Sequence, residues 1–257
     1  AWVGTRERPE FAGHERFGLR EAVASTFKNR PFVILLIATT LAIMAVNVTS
    51  VLIRFLAKYW FHDDSAAARW LIAYFIGSIV SYPFWFKITL RIEKKPASVV
   101  ALACNAMCSL TVMALGPHNV AAIYLVMFLS GFSAIGIWVT QIAASADVIE
   151  WDEERTGRRQ EGAYAGITSM SIKLAVACCL LMVGPAMGWI GYVPGGHELT
   201  PAAAENLHRL FSLAPFSIFM LSAIVFSRYP ITREAHRAMR ERLATREARA
   251  ADESAAS

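Results

Sequence analysis

The apolar residues of this 257-residue chain are gathered into stretches long enough to cross a lipid bilayer. Hydrophobic residues make up 56% of the sequence, more than in ordinary soluble domains. A window of about 20 residues with few charges is typical of a membrane-spanning helix. Six such windows occur, at 32–55, 70–89, 98–115, 120–142, 162–192 and 210–229. Because backbone groups must be hydrogen-bonded inside the hydrocarbon layer, these windows predict an all-α integral membrane protein, a bundle of six transmembrane helices.

Lysine and arginine are concentrated on one side of the predicted bundle. Of 25 such residues, 20 lie in four segments, 1–31, 87–97, 143–161 and 227–257. All four segments fall on the same side of six spans, and basic residues near helix ends stay in the cytoplasm. Both chain termini are therefore predicted to be cytoplasmic. The net charge of +5 comes largely from these flanks, so we expect a lipid bilayer as surroundings and no nucleic-acid partner.

The spans divide the chain into three parts. Residues 1–31 are predicted to be a cytoplasmic interdomain linker, in which an apolar residue every four positions indicates an amphipathic helix at 17–28. Residues 32–229 form the six-helix unit. Residues 230–257 are a basic cytoplasmic tail, partly helical or disordered, that is either solvated or lies on anionic lipid. The charged opening segment, without a signal peptide, leads us to expect that the chain continues a longer one.

Glycine, proline and small polar residues inside the spans predict local features. Three prolines indicate kinked or broken helices: Pro83, Pro185 and Pro215. Four glycines have the spacing that permits close helix packing: Gly162 with Gly166, and Gly184 with Gly188. Three polar residues either line a cavity or, more often in such helices, bond a neighbouring helix: Asn47, Thr49 and Asn105.

One charged residue, Lys173, lies in the middle of the fifth apolar stretch. A lysine at a span centre costs about 2.5 to 3.5 kcal/mol and normally faces a water-filled cavity or an ion partner. Such a residue marks a transport route. The alternative is a structural ion pair with a carboxylate from outside this chain. No HExxH or GxSxG motif and no paired intramembrane aspartates occur, so we expect no enzyme, no metal site and no cofactor.

Five ordered motifs follow the fourth span. They are WVTQ at 138–141, ADVIEW at 146–151, TGRRQEG at 156–162, SMSIK at 169–173 and GWIGY at 188–192. Together with KNRPF at 28–32 and RIEKK at 91–95, they resemble the second half of the glycoside-pentoside-hexuronide cation symporters, the melibiose-permease-like family of the major facilitator superfamily. The resemblance implies a twelve-helix fold in two six-helix halves, with this chain as the second half.

The family resemblance also implies a site and a mechanism. Its members take up a small-molecule substrate near the bilayer midplane, between a six-helix N-terminal half and the half seen here, by alternating access. They are coupled to Na+ or H+ bound by acidic residues of the first half, and a bacterial inner membrane is the expected location. Trp138 and Lys173 match sugar-site positions. The neighbouring matching positions in this sequence are Thr168, Ser169 and Ile172.

The depths of two side chains agree with a shared site. Lys173 lies about 16 Å beyond Gly162 along a helix, half of a 30 Å hydrocarbon core. Trp138 lies about nine residues before Asp147 on the preceding antiparallel helix and reaches a similar depth. We therefore expect the indole to stack on a sugar ring and the ammonium to bond hydroxyls or a carboxylate. Gln141 follows Trp138 by three residues and either reaches substrate or bonds a neighbouring helix.

Charged residues follow the fourth span in what is predicted to be a cytoplasmic loop. Asp147, Glu150, Arg158 and Arg159 are interpreted as a gate whose ion pairs join the two halves in one state and break in the other. A solvated loop is the alternative. The complete prediction is cation-coupled symport of a sugar or glycoside. The alternatives are transport of a lipid or another amphipathic solute, and an orphan half that transports nothing.

Overall fold

The computed structural model describes residues 25–157, 160–192, 199–242 and 245, and in these residues it contains helices and no β-strand. Each of the six long helices is long and apolar enough to span a membrane. They are α1 (Arg30–Tyr59), α2 (Ala66–Arg91), α3 (Lys94–Val112), α4 (Val120–Thr156), α5 (Glu161–Trp189) and α6 (Pro201–Phe226). The chain is helical again at 233–242. The predicted all-α fold of six candidate membrane helices is confirmed.

Helix α4 differs from its predicted span. The charged segment after residue 142 was expected to be a loop, and that prediction is wrong, because the helix continues to Thr156. Its buried face continues as well, through Ala144, Asp147 and Val148, at the spacing that keeps one side of a helix against the core. Gly157, with φ of 70°, ends the helix in the left-handed conformation that favours glycine.

Capping residues set the starts of two other helices. The Asn29 side chain accepts a hydrogen bond from the Phe32 amide at the start of α1. Thr200 accepts one from the Ala203 amide and starts α6 well before its predicted span. Of the kinks or breaks predicted at proline, breaks do not occur, since α2, α5 and α6 each continue through their proline. Of the predicted linker helix, residues 17–24 lie outside the described part of the chain.

The six helices pack as two groups joined by α3. Helix α1 packs mainly on α6 and α5, whereas α2 packs mainly on α4. Helix α3 packs on both α4 and α6 and so connects the two groups. Contacts of α1 with α2 and α4 are sparse. We call the boundary between α1 and the α2–α4 pair the α1 seam.

Helices α2 and α4 cross with their backbones in contact. A Cβ added at Gly77 would overlap the carbonyl of Phe128, and one added at Gly131 would overlap the carbonyl of Tyr74. Only glycine leaves room for two helices to approach this closely. The Ser78 hydroxyl, beside Gly77, donates a hydrogen bond to the Gly131 carbonyl at 3.1 Å. The crossing is therefore both tight and hydrogen-bonded.

The glycine pairs of α5 do not make such a contact. At Gly162, Gly166, Gly184 and Gly188 an added Cβ would meet no described atom within 4 Å. The spacing permits close packing, but no other helix of the described residues packs closely against these glycines. The reason is that α5 packs through its opposite side, which carries the buried Ala175.

We predict that Gly131→Ala lowers the free energy of unfolding by about 2 to 3 kcal/mol, because the added methyl overlaps rigid backbone and overpacking costs about 1 to 3 kcal/mol. Gly184→Ala is the matched control, with an expected gain of up to about 1 kcal/mol from lower backbone entropy. Thermal unfolding in detergent micelles measures both. Equal effects from the two variants would contradict the assigned crossing.

Candidate functional site

A narrow cleft between α1 and α4 contains two of the predicted substrate residues. Trp138 lies at the middle of α4 with 43% of its surface exposed, and Gln141 lies one helical turn further along. Both side chains face Ala42, Ile43 and Val46 of α1. The cavity volume is about 10 Å³, room for about one water molecule. The described residues therefore enclose no sugar-sized cavity at this point.

Gln141 is the polar group of this cleft. Its side chain is 5% exposed, and its Nε2 atom has no hydrogen-bond partner among the described residues. An unbonded buried donor costs about 1 to 3 kcal/mol, so the amide is suited to donate to an oxygen atom of a ligand. Gln141 is predicted either to reach substrate or to bond a neighbouring helix. Its Nε2 atom forms no bond to a neighbouring helix among the described residues.

The remaining predicted substrate residues lie on α5. Lys173 and Ser169 are exposed, whereas Thr168 and Ile172 are partly buried. Lys173 lies about 18 Å from the start of the helix, at the predicted mid-depth. It shares the open side of α5 with glycine residues and forms no ion pair within the described part of the chain.

Trp138 and Lys173 lie on different helices, and the cleft that contains Trp138 and Gln141 is lined by α1 and α4 without Lys173. Helix α1 packs against both α4 and α5. A cavity shared by Trp138 and Lys173 stays a prediction.

A buried ion pair lies at the bundle end that is predicted to be cytoplasmic. The Asp147 side chain is only 4% exposed, and the Lys94 ammonium lies 2.5 Å from its Oδ1 atom. Lys94 also donates to the Ala143 carbonyl at 3.2 Å. The pair joins the start of α3 to α4 and gives Asp147 a cationic partner within the six-helix bundle, a partnership that sequence spacing did not reveal.

The helix at 233–242 lies across the same bundle end. The His236 Nε2 atom lies 3.1 Å from Asp147 and 2.9 Å from Glu150, and the Arg242 guanidinium lies 2.8 Å from Glu154. Met239 of this helix is fully buried. Residues 233–242 of the predicted tail are thus docked on α4, where sequence analysis expected a solvated or lipid-bound segment.

The structure describes two of the four predicted gate residues. Asp147 pairs with Lys94 and His236, and Glu150 pairs with His236. Arg158 and Arg159 lie outside the described residues. In that described part, no group of three histidine, cysteine or acidic side chains has an arrangement that could hold a metal ion.

Two neutral side chains reinforce this end of the bundle. Asn29 donates to the Val148 carbonyl at 3.3 Å and to the Tyr164 hydroxyl at 2.9 Å, which connects the start of α1 with α4 and α5. The Tyr229 hydroxyl donates to the Ala144 carbonyl at 3.1 Å. Burial raises the pKa of Tyr229 above its usual range, so the phenol stays protonated and keeps this bond.

Comparison with known proteins assigns the family. The family described as MFS/sugar transport protein matches residues 1–233 of the sequence. The chain belongs to the MFS/sugar transport family. The match confirms the predicted membership of a major facilitator sugar symporter family, and together with the six apolar helices it indicates an integral membrane protein.

Two relatives of this MFS/sugar transport chain are named as uncharacterized symporters. YjmB of Bacillus subtilis is 25% identical over 229 residues, which are 88% of this chain and 49% of the relative. The symporter sll1374 of Synechocystis sp. is 25% identical over 244 residues, which are 91% of this chain and 44% of the relative. The chain spans about half the length of each.

We predict that Lys94→Ala lowers the free energy of unfolding by about 3 kcal/mol, since it leaves the buried Asp147 carboxylate without its nearest cation. Arg209→Ala is the matched control. It removes an exposed pair with Glu205 and should change stability by less than about 0.5 kcal/mol. Thermal unfolding in micelles provides the comparison, and an equally small effect at both positions would show that Asp147 does not depend on Lys94.

Proposed function

We propose that this chain is the second half of a symporter that carries a sugar or glycoside across the bacterial inner membrane by alternating access. The family membership and the names of its relatives support transport of a solute. The half-length match supports a partner of six further helices. Coupling to Na+ or H+ follows from the family resemblance, with the ion held by carboxylates of that first half.

The observation that carries the proposal is the unbonded Nε2 atom of Gln141 beside the exposed ring of Trp138, at the middle of α4. An aromatic ring stacks on the apolar face of a sugar, and an amide donor bonds a hydroxyl oxygen. In the complete transporter, a first half would cover this side of α4. The cleft is closed here and widens, in this proposal, when substrate binds.

Lys173 is the charged group that α5 contributes to the proposed site. Its ammonium is exposed at mid-depth on α5 without an ion partner among the described residues, an arrangement that is costly in lipid and favourable beside a polar substrate. It would donate to sugar hydroxyls or to a carboxylate. Thr168, Ser169 and Ile172 line the same turn of α5 and would set the fit of the substrate.

The charged end of the bundle would act as a gate. Asp147 and Glu150 hold the helix at 233–242 through His236, and in the proposed cycle these contacts, with Arg158 and Arg159, rearrange when the predicted cytoplasmic side opens. Both chain termini would lie on that side. Neutralisation of Asp147 by Lys94 would keep the buried carboxylate stable in either state.

The proposal is tested by uptake into proteoliposomes that contain the chain joined to its first half. A panel of radiolabelled glycosides is offered under a sodium gradient and under a proton gradient. We expect uptake of at least one sugar that requires one of the gradients. Lys173→Ala and Trp138→Ala should each lower uptake at least tenfold, because each removes a substrate contact.

Lys58→Ala is the matched control, since Lys58 is an exposed lysine at the far end of α1. It should leave uptake unchanged. Gradient-independent filling would contradict symport. No uptake of any sugar by inserted, folded protein would reject a sugar substrate and favour the lipid or non-transporting alternative.

A further inference from the structure

The basic residues at the predicted cytoplasmic end of the bundle differ in whether they have an acidic partner. Three of them pair with carboxylates of α4: Lys94 with Asp147, Arg155 with Asp152, and Arg242 with Glu154. Lys87 and Arg91, in the last two turns of α2, are exposed and form no ion pair within the described part of the chain. Their charges are therefore available to an anion from outside the bundle.

Lys87 and Arg91 continue an apolar stripe along one side of α2. Ile76, Val80 and Phe84 precede them at spacings of three or four residues, which keep all five side chains on one side of a helix. The three apolar side chains are each about half exposed. From Ile76 to Phe84 the apolar part is about 12 Å long, and the two cations follow where the helix ends. We call these five residues the α2 stripe.

The α2 stripe faces away from the α1 seam. A second cavity, of about 230 Å³, lies in that seam, and Leu71 and Phe75 of α2 line it. Val80 follows Leu71 by nine residues, or two and a half turns, and so lies on the opposite side of the helix. Phe84 of the stripe packs instead on Phe132 of α4, with ring centroids 5.2 Å apart. The stripe is therefore separate from the side of α2 that borders the cavities.

A third cation reaches the same end of α2 from the helix at 233–242. The Arg233 guanidinium donates to the Arg91 carbonyl at 3.3 Å, so it lies beside the last residue of α2. Glu93 is the acidic neighbour, but its carboxylate accepts the backbone amide of Arg233, at 3.4 Å, and not the guanidinium. With Lys87, three cations and one carboxylate therefore lie at the end of the α2 stripe, and the surface there is net positive.

We propose that the α2 stripe binds an anionic phospholipid of the predicted cytoplasmic leaflet. The lipid phosphate would lie among Lys87, Arg91 and Arg233, which can donate charge-assisted hydrogen bonds to it, and an acyl chain would lie along the apolar part of the stripe. The order of the surface, apolar and then cationic toward the helix end, is the order of chain and headgroup in such a lipid. A soluble anion would leave the apolar part unused. The inference does not depend on which solute is transported.

The test counts lipids bound to the chain in micelles by native mass spectrometry, as phosphatidylglycerol or phosphatidylcholine with the same acyl chains is added. We expect the first phosphatidylglycerol to bind at a concentration at least about tenfold lower than the first phosphatidylcholine. Lys87→Gln combined with Arg91→Gln should remove this preference. The matched control is Arg54→Gln combined with Lys58→Gln. That pair is also exposed, four residues apart and without an ion pair among the described residues, but lies at the far end of α1.

The position of Arg233 predicts an effect of the lipid on the helix at 233–242. A phosphate bound by Arg233 and Arg91 would join that helix to α2, in addition to its contacts with α4. Amide hydrogen exchange of residues 233–242 should therefore be at least about threefold slower with phosphatidylglycerol than with phosphatidylcholine. Arg233→Gln should abolish this slowing. Arg237→Gln is the matched control, an exposed arginine of the same helix that pairs with Glu241 one turn away.

Four results would overturn the lipid site. They are equal binding of the two lipids, an equal loss of preference in both double variants, slowed exchange that persists in Arg233→Gln, and displacement of phosphatidylglycerol by glycerol 3-phosphate, which would indicate a site for soluble anions. The measurement is repeated with the chain joined to its first half. A preference that disappears there would make the stripe a contact between the halves and would also overturn the proposal. None of these results bears on sugar transport, which the uptake experiment tests separately.

Discussion

The backbone contact between α2 and α4 is the interaction on which the arrangement of the bundle depends. Gly77 and Gly131 let the two helices meet without intervening side chains. Helix α1 packs on α5 and α6 instead, and α3 joins the groups. Contacts of α1 with the α2–α4 pair are sparse, and both cavities lie along this seam.

Asp147 and Lys173 have opposite surroundings. Asp147 is buried with Lys94 and His236 beside it, as a charge removed from water must be if the fold is to tolerate it. Lys173 is exposed on α5 and has no such partner within the described residues. A charge that is paired inside the bundle stabilises the bundle, whereas an unpaired charge at mid-membrane is costly in lipid. In the proposed transporter this difference makes Lys173, and not Asp147, the residue that contacts the substrate.

The candidate site was predictable where its residues are close in sequence. Trp138 and Gln141 are three positions apart, so helix periodicity places them on one side of α4, and the structure finds both in one cleft. Their partners were not predictable. His236 reaches Asp147 from a helix that follows all six spans, and Val46 of α1 lines both cavities. The α5 glycines show the limit of local pattern, since the spacing that allows close packing does not say whether a neighbour is present.

By itself the sequence determined that this chain is a bundle of six apolar helices, because a bilayer accepts a backbone only when each segment satisfies its own hydrogen bonds, and length and hydropathy report that locally. It also determined the depth of Lys173, since rise per residue is constant in a helix. Only the tertiary structure decided which helices touch, how far α4 extends toward its partners, and where space remains. Those outcomes depend on a few close contacts between side chains that are far apart in sequence. The spacing of residues within one helix does not predict such contacts.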